Sequence, residues 1–129
     1  PRYANLTNRV IYTQFEVIRK FAEESSCVII GRCGNYILKD RSDCLNIFIY
    51  APEEKRIEHV MEQKGISKKE AAELVKYNDD MLHARYRYMT DKNRGERELR
   101  HMQIDSSVLG LEKTAKYILQ MIDLRFGEI

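Results

Sequence analysis

Apolar residues along this chain follow two rhythms, and the alternation between them sets the expected fold. Between residues 8 and 24, Val10, Ile11, Phe15, Ile18, Phe21 and Ala22 recur at three- and four-residue spacing, which predicts one buried face of a helix. Ser25 and Ser26 break that rhythm. Cys27, Val28, Ile29 and Ile30 then make a short continuous run ending at Gly31, the pattern of a strand covered on both faces. Residues 45–50, from Leu45 to Tyr50, predict a second strand.

Ala51, Pro52, Glu53 and Glu54 open the next helix, since proline suits a first turn and acids complement the helix dipole there. Its apolar stripe is Ile57, Val60 and Met61, and Gly65 is its stop. Ser67 and Glu70 have the spacing of a capping box, which starts a helix running through Ala71, Leu74, Val75 and Tyr77 to about Tyr88. The stretch 90–100 is highly charged, with Leu99 as its main apolar residue, and reads as a mobile loop. Residues 101–105 predict a third strand, and residues 110–126 a closing helix with Ala115, Ile118, Leu119 and Ile122 on one face. Strands alternating with helices predict a three-layer α/β/α arrangement around a short parallel sheet. Three strands are few for such a sheet, and the chain opens on a helix, so the expectation is a sheet whose first strand lies outside these residues.

Composition narrows the classes. At 129 residues, with no repeat or linker, the chain reads as one domain, 1–129, able to bury a core. Hydrophobic residues make up 43% and charged ones 33%, the balance of a globular rather than a disordered protein. A net charge of +2 gives no argument for nucleic acid or an anionic membrane. No apolar run is long enough to span a bilayer, and the first residues lack a signal-peptide pattern, so the expected setting is cytoplasmic, without a membrane partner. Cys27, Cys33 and Cys44 are odd in number and match no zinc spacing, so they are read as reduced thiols, with no metal site expected.

Three segments could carry chemistry. Ligands in open α/β sheets bind beyond the carboxyl ends of strands, and Gly31, Arg32 and Asn35 follow the first predicted strand. Arg32 there could grip a phosphate through paired hydrogen bonds, or could stand in solvent on a tight turn. From Asp79 to Arg100 the chain concentrates Arg85, Arg87, Arg94, Arg97 and Arg100, interleaved with Tyr86 and Tyr88. Such a segment suits a lid, 79–100, whose arginines stabilise a moving phosphoryl group, and equally suits a solvated helix face. Asp105, Ser106 and Ser107 end the last strand, where they could contact a base or ribose, or cap the next turn locally. Neither G-x-x-x-x-G-K-[ST] nor G-x-G-x-x-G occurs, so the cradle that holds ATP phosphates in P-loop proteins is missing from these residues.

The order of these motifs resembles the cytidylate-kinase-like family of P-loop nucleoside-monophosphate kinases. The run from Cys27 through Gly31, Arg32 and Tyr36 to Leu38 is similar to the family's V-I-V-G-R-x-x-x-x-[IV]-L segment. Residues 79–90 stand where its lid would be, and the run from Ile104 to Glu112 is similar to its closing I-D-[ST]-S-x-L-x-[IL]-E element. The resemblance covers the chain from about Gln14 and implies a kinase-like transferase that moves a phosphoryl group from ATP, with Mg2+, to a CMP-like acceptor. It implies substrate binding by Gly31, Arg32, Asn35, Asp79, Asp105 and Ser106, and catalytic roles for Arg85 or Arg87. Two positions depart: Cys33 stands where CMP kinases carry Asp, and Leu82 stands where the lid usually has Arg. The family's P-loop lies upstream of these residues, so this chain alone is expected to be inactive. The alternative is a non-catalytic nucleotide- or partner-binding module. A third reading is a nucleic-acid domain built on residues 83–101, although no RNA-binding motif accompanies it. A homo-oligomer stays open.

Overall fold

A computed structural model describes residues 2–127, with side chains from Leu6 onward. It contains six helices and two strands among the described residues. Helix α1 is Arg2–Glu24, α2 Gly34–Ile37, α3 Glu53–Lys64, α4 Lys68–Thr90, α5 Ser106–Leu109 and α6 Leu111–Phe126. Strands β1, Ile47–Tyr50, and β2, Met102–Asp105, pair in parallel, with Ile47 opposite Met102 and Tyr50 opposite Asp105. The parallel sheet expected from the alternation is present, but with two strands in a mostly helical α/β fold.

The strand expected at 27–30 does not form: those residues are irregular, and Val28 and Ile30 are each 89% exposed. A strand exists only as part of a ladder, and no described segment pairs with this one. Its β-branched composition favours extended backbone but cannot supply a neighbour. The expectation of burial on both faces is likewise overturned. Further adjustments are local. Helix α1 begins before residue 8, the two strands are shorter than read, the short helices α2 and α5 are additional to the expected elements, and the closing helix forms as α6.

The α3–α4 hairpin forms where the punctuation put it. Gly65 takes φ 62°, a left-handed turn natural to glycine, and its N–H bonds to the carbonyl of Met61 at 2.9 Å. The Ser67 hydroxyl accepts from the N–H of Glu70 at 3.2 Å, capping α4. Between the two helices Ile57, Ala71 and Val75 form a buried cluster, with Val60, Met61, Ile66 and Ala72 packed against it. The inward stripe of α4 continues as Tyr86 and Thr90, at helical spacing from Ala71 and Val75. Cys33, Ile37 and Leu38, in and beside α2, are also buried, and Asn35 of that helix bonds to the buried Tyr86.

The sheet is pinned at both ends. At its start Asn46 donates its N–H to Nδ1 of His101 at 2.8 Å, while its carbonyl accepts from the N–H of His101 at 2.8 Å. At its carboxyl end the Ser106 hydroxyl donates to the carbonyl of Tyr50 at 3.3 Å. The total accessible surface is 10144 Å²; a compact monomer of 15.3 kDa would expose roughly 7,100 Å². The excess includes apolar area on α1 (Leu6, Val10, Val17 and Phe21) and on residues 28 and 30. No described helix is long and apolar enough to cross a membrane.

Candidate functional site

Two groups of polar side chains flank the sheet. The first lies beyond the carboxyl ends of β1 and β2, where a cleft of about 430 Å³ opens. Arg56 and His59 reach it from α3, Asn78 and Asp79 from α4, and Ser106 and Ser107 from α5. Arg56 and Asp79 form its best-defined contact. Nη1 of Arg56 donates to both carboxylate oxygens of Asp79, at 2.7 and 2.8 Å, and its Nε donates to the carbonyl of Ala51 at 3.0 Å. One guanidinium thus ties the exit of β1 to the middle of α4. Asp79, expected to order a lid or meet a substrate, is engaged with Arg56.

Asp105 caps α5: its Oδ1 accepts from the N–H of Ser107 at 2.9 Å and from the Ser107 hydroxyl at 2.6 Å. That is the local capping left open for this segment. Ser106 is buried and holds the strand ends together, while Ser107 is exposed at the cleft.

The second group surrounds Cys33 and Phe48. Gly31, Arg32 and Cys33 have φ of 65°, 56° and 58°, three successive residues in the left-handed region. Glycine takes this conformation freely, whereas each of the other two is strained by about 1–2 kcal/mol. The turn leaves Arg32 exposed and Cys33 buried. The Asn35 amide donates to the Tyr86 hydroxyl at 3.0 Å and to the carbonyl of Leu99 at 3.4 Å, joining α2, α4 and the basic loop. The Cys33 thiol lies 3.8 Å from the sulfur of Met89. Burial pushes this thiol above its ordinary pKa, and the charges of Arg85, Arg100 and Arg94 oppose that rise.

Arg94 and Arg100 lie over the ring of Phe48 at 5.1 and 4.7 Å from its centroid, and Arg100 also faces Tyr86 at 5.7 Å. Nη2 of Arg100 donates to the carbonyl of Arg94 at 3.2 Å, and its buried Nε has no hydrogen-bond partner among the described residues. Burial lowers the pKa of Arg100; Tyr86 raises it and Arg94 lowers it further.

Of the residues singled out from the sequence, Asn35 and Arg85 belong to the second group, and Asp79 and Ser106 to the first. Asp105 adjoins the first as the cap of α5, and Gly31 and Arg32 form the turn leading to the second. Arg87 is exposed and donates to Oδ1 of Asn93 at 3.0 Å. The sequence reading passed over Arg56 and Phe48. Arg56 had a signal: a cation near the start of a helix, one turn from Val60 on the apolar stripe, needs a specific acceptor. Phe48 had none, because its partners lie 46 and 52 positions away. No three His, Cys, Asp or Glu side chains gather as a metal site among the described residues.

Comparison with curated proteins finds no match. A crystal structure of an uncharacterized protein from Eubacterium ventriosum superposes with a TM-score of 0.82 at 28% identity, over 88% of this chain. The chain spans 65% of that protein's length. The profile of the cytidylate kinase-like family matches residues 2–108. That match takes in the turn at Arg32, the sheet, the α3–α4 hairpin and the basic loop together, and on it the chain belongs to the cytidylate kinase-like family.

Proposed function

We propose that this chain is the acceptor-binding and lid-bearing part of a nucleoside-monophosphate kinase, whose phosphate-binding loop comes from sequence outside these 129 residues. The kinase-like character follows from the family; the substrate and the division of labour are our reading. The observation that carries it is the cleft beyond the strand ends, flanked by Arg56, Asp79 and Ser107. Nucleotides enter open α/β sheets at that edge.

In this reading Arg32 holds the acceptor phosphate from its strained turn. Arg85, on the last turns of α4, brings positive charge to the phosphoryl group in flight, and Arg87 lies one residue-pair further along. Catalysis of this kind rests on orientation and charge stabilisation rather than on a covalent intermediate. Asp105 and Ser106 hold the strand-end turn that borders the base, Ser107 offers a hydroxyl to base or ribose, and Asp79 fixes the wall through Arg56. Bound MgATP would supply the phosphoryl group and neutralise its charge. Among the described residues no three His, Cys, Asp or Glu side chains gather to hold Mg2+, so no step here is assigned to it. The expected setting remains cytoplasmic.

The test is transfer of the γ-phosphate of MgATP to CMP, dCMP, UMP and AMP by a protein carrying an upstream phosphate-binding loop. Calorimetry of CMP with this chain accompanies it. Transfer to at least one acceptor, with Arg32→Ala weakening monophosphate binding far more than ATP binding, is the expected result. CMP binding without transfer to any acceptor would favour the non-catalytic module; neither binding nor transfer would end the kinase reading.

A further inference from the structure

Helix α1 carries two apolar stripes side by side. Ile11, Phe15, Ile18 and Ala22 are half-buried and face the rest of the fold. On that side Asn8 also accepts a bond from the Tyr88 hydroxyl of α4 at 3.4 Å. Leu6, Val10, Val17 and Phe21 form the second stripe, and they are 59%, 51%, 46% and 57% exposed. At about 100° per residue these four fall within roughly 60° of the helix surface. The inner stripe explains how α1 is attached to its own chain; the outer one is left half open to solvent.

The spacing of the outer stripe is four, seven and four residues, the same read from either end. Such a surface matches itself when a second copy of the helix runs antiparallel to it, as in a two-fold dimer. With the axis between Thr13 and Gln14, Leu6 meets the partner's Phe21 and Val10 meets the partner's Val17. Thr13 can be covered there without an orphaned donor, because its hydroxyl already donates to the carbonyl of Arg9 at 2.8 Å. The flanking charges agree with this pairing. Arg9 and Glu16 lie two turns apart on one side of the stripe, and neither forms an ion pair among the described residues. The same axis brings Arg9 beside the partner's Glu16, twice per dimer. Acids on the flank also disfavour an anionic lipid surface as the occupant. The four residues offer on the order of 400 Å² of apolar surface. That is about half of the roughly 800 Å² each partner gives to a standard interface, and the flanks of a 23-residue helix contribute the rest.

We propose that α1 is a dimerisation helix, pairing antiparallel with α1 of a second copy of this chain through Leu6, Val10, Val17 and Phe21. Arg9 and Glu16 set the direction of pairing, since a parallel arrangement would place each beside its like. The interface rests on α1 and not on the kinase reading. At this area the dissociation constant is on the order of micromolar.

The experiment is sedimentation equilibrium of the 129-residue chain across the micromolar range, with circular dichroism recorded for each variant. Wild type should reach twice the 15.3 kDa mass of one chain. Val10→Glu and Val17→Glu should each raise the dissociation constant about 100-fold or more, because a two-fold interface buries each new charge twice. Val10→Ala combined with Val17→Ala serves if a glutamate disrupts the helix. Tyr12 is 67% exposed on another side of α1, so Tyr12→Glu should leave the constant within about twofold. Arg9→Glu should weaken the dimer about tenfold, and adding Glu16→Arg should restore it to within about threefold. The protein carrying an upstream phosphate-binding loop should give the same dimer, again sensitive to Val10→Glu. A monomeric wild type, a dimer indifferent to the Val10 and Val17 changes, or a charge swap that fails to restore association overturns the proposal. So does a monomer of the longer protein, in which its own upstream chain would cover the stripe.

Discussion

Removing the tie between Arg56 and Asp79 should reveal a measurable coupling between the α3 start and the middle of α4. The contact is geometrically favourable: one nitrogen bridges both carboxylate oxygens at 2.7 and 2.8 Å, and a third bond at 3.0 Å to Ala51 holds the guanidinium in place. The two side chains are 36% and 31% exposed, so they sit between the surface and buried limits. At the dielectric of a protein surface the gross attraction at this separation is about 4 kcal/mol, most of it offset by lost hydration. Exposed pairs contribute about 0.2–1 kcal/mol, whereas breaking a fully buried pair costs about 3–5 kcal/mol. The coupling here should therefore be about 1–2 kcal/mol. The assay is a double-mutant cycle of Arg56→Met and Asp79→Asn, by urea unfolding at neutral pH and low salt, repeated at high salt. Each single change should destabilise, and the pair together should cost less than the sum of the two. A coupling below about 0.3 kcal/mol, at the additive limit, would refute the idea that this bridge holds the cleft wall.

Other outcomes follow from single sites. Arg32→Gly should raise stability by about 0.5 kcal/mol or more, because glycine removes the strain of φ 56° and the exposed side chain makes no described bond; urea unfolding showing a loss would place hidden contacts on Arg32. Val75→Ala should cost about 2 kcal/mol by the same measurement, as two buried methyl groups leave the hairpin core. Iodoacetamide should label exposed Cys27 well before buried Cys33, followed by mass spectrometry. Because burial raises the folded-state pKa of Cys33, its contribution to stability is present below the unfolded thiol range. That contribution is lost as pH rises through the folded value, so stability should fall above about pH 9, and less steeply in Cys33→Ala.

The parts of the fold decided by neighbouring residues were readable in the sequence. Gly65 and Ser67 punctuate α3 and α4 through bonds spanning three or four positions, and the acids at Glu53 and Glu54 mark a helix start. The parts decided by distant partners were not. Cys27 to Ile30 carry the composition of a buried strand, but composition does not report whether a ladder is available, and among the described residues none is. The same limit hid the stacking of Arg94 and Arg100 on Phe48, since Phe48 reads locally as one more apolar strand residue. Arg56 was within reach, because its place beside the apolar stripe of α3 called for an acceptor. For the candidate site, the chain showed which residue types were available and left their grouping to the tertiary fold.

The continuity of α4 constrains how the basic loop can move. Twenty-three residues without a break make a rod about 35 Å long, stiff compared with the loop it carries. Its C-terminal arm, beyond the bridge at Asp79, extends about 16 Å to Thr90. Bending within that arm would break its backbone bonds, so the joints at Asp91 (φ 58°) and Leu99 (φ 63°) and a pivot at the bridge are the places where motion can enter. A swing of about 10° at the pivot would carry the arginines at the far end roughly 3 Å, the difference between a water-separated and a direct contact with an oxyanion. The first half of the helix is held to α3 by the cluster at Ala71 and Val75 and by the ion pair at Asp79, so its far half stands as a stiff arm that ties the position of the basic loop to the strand ends.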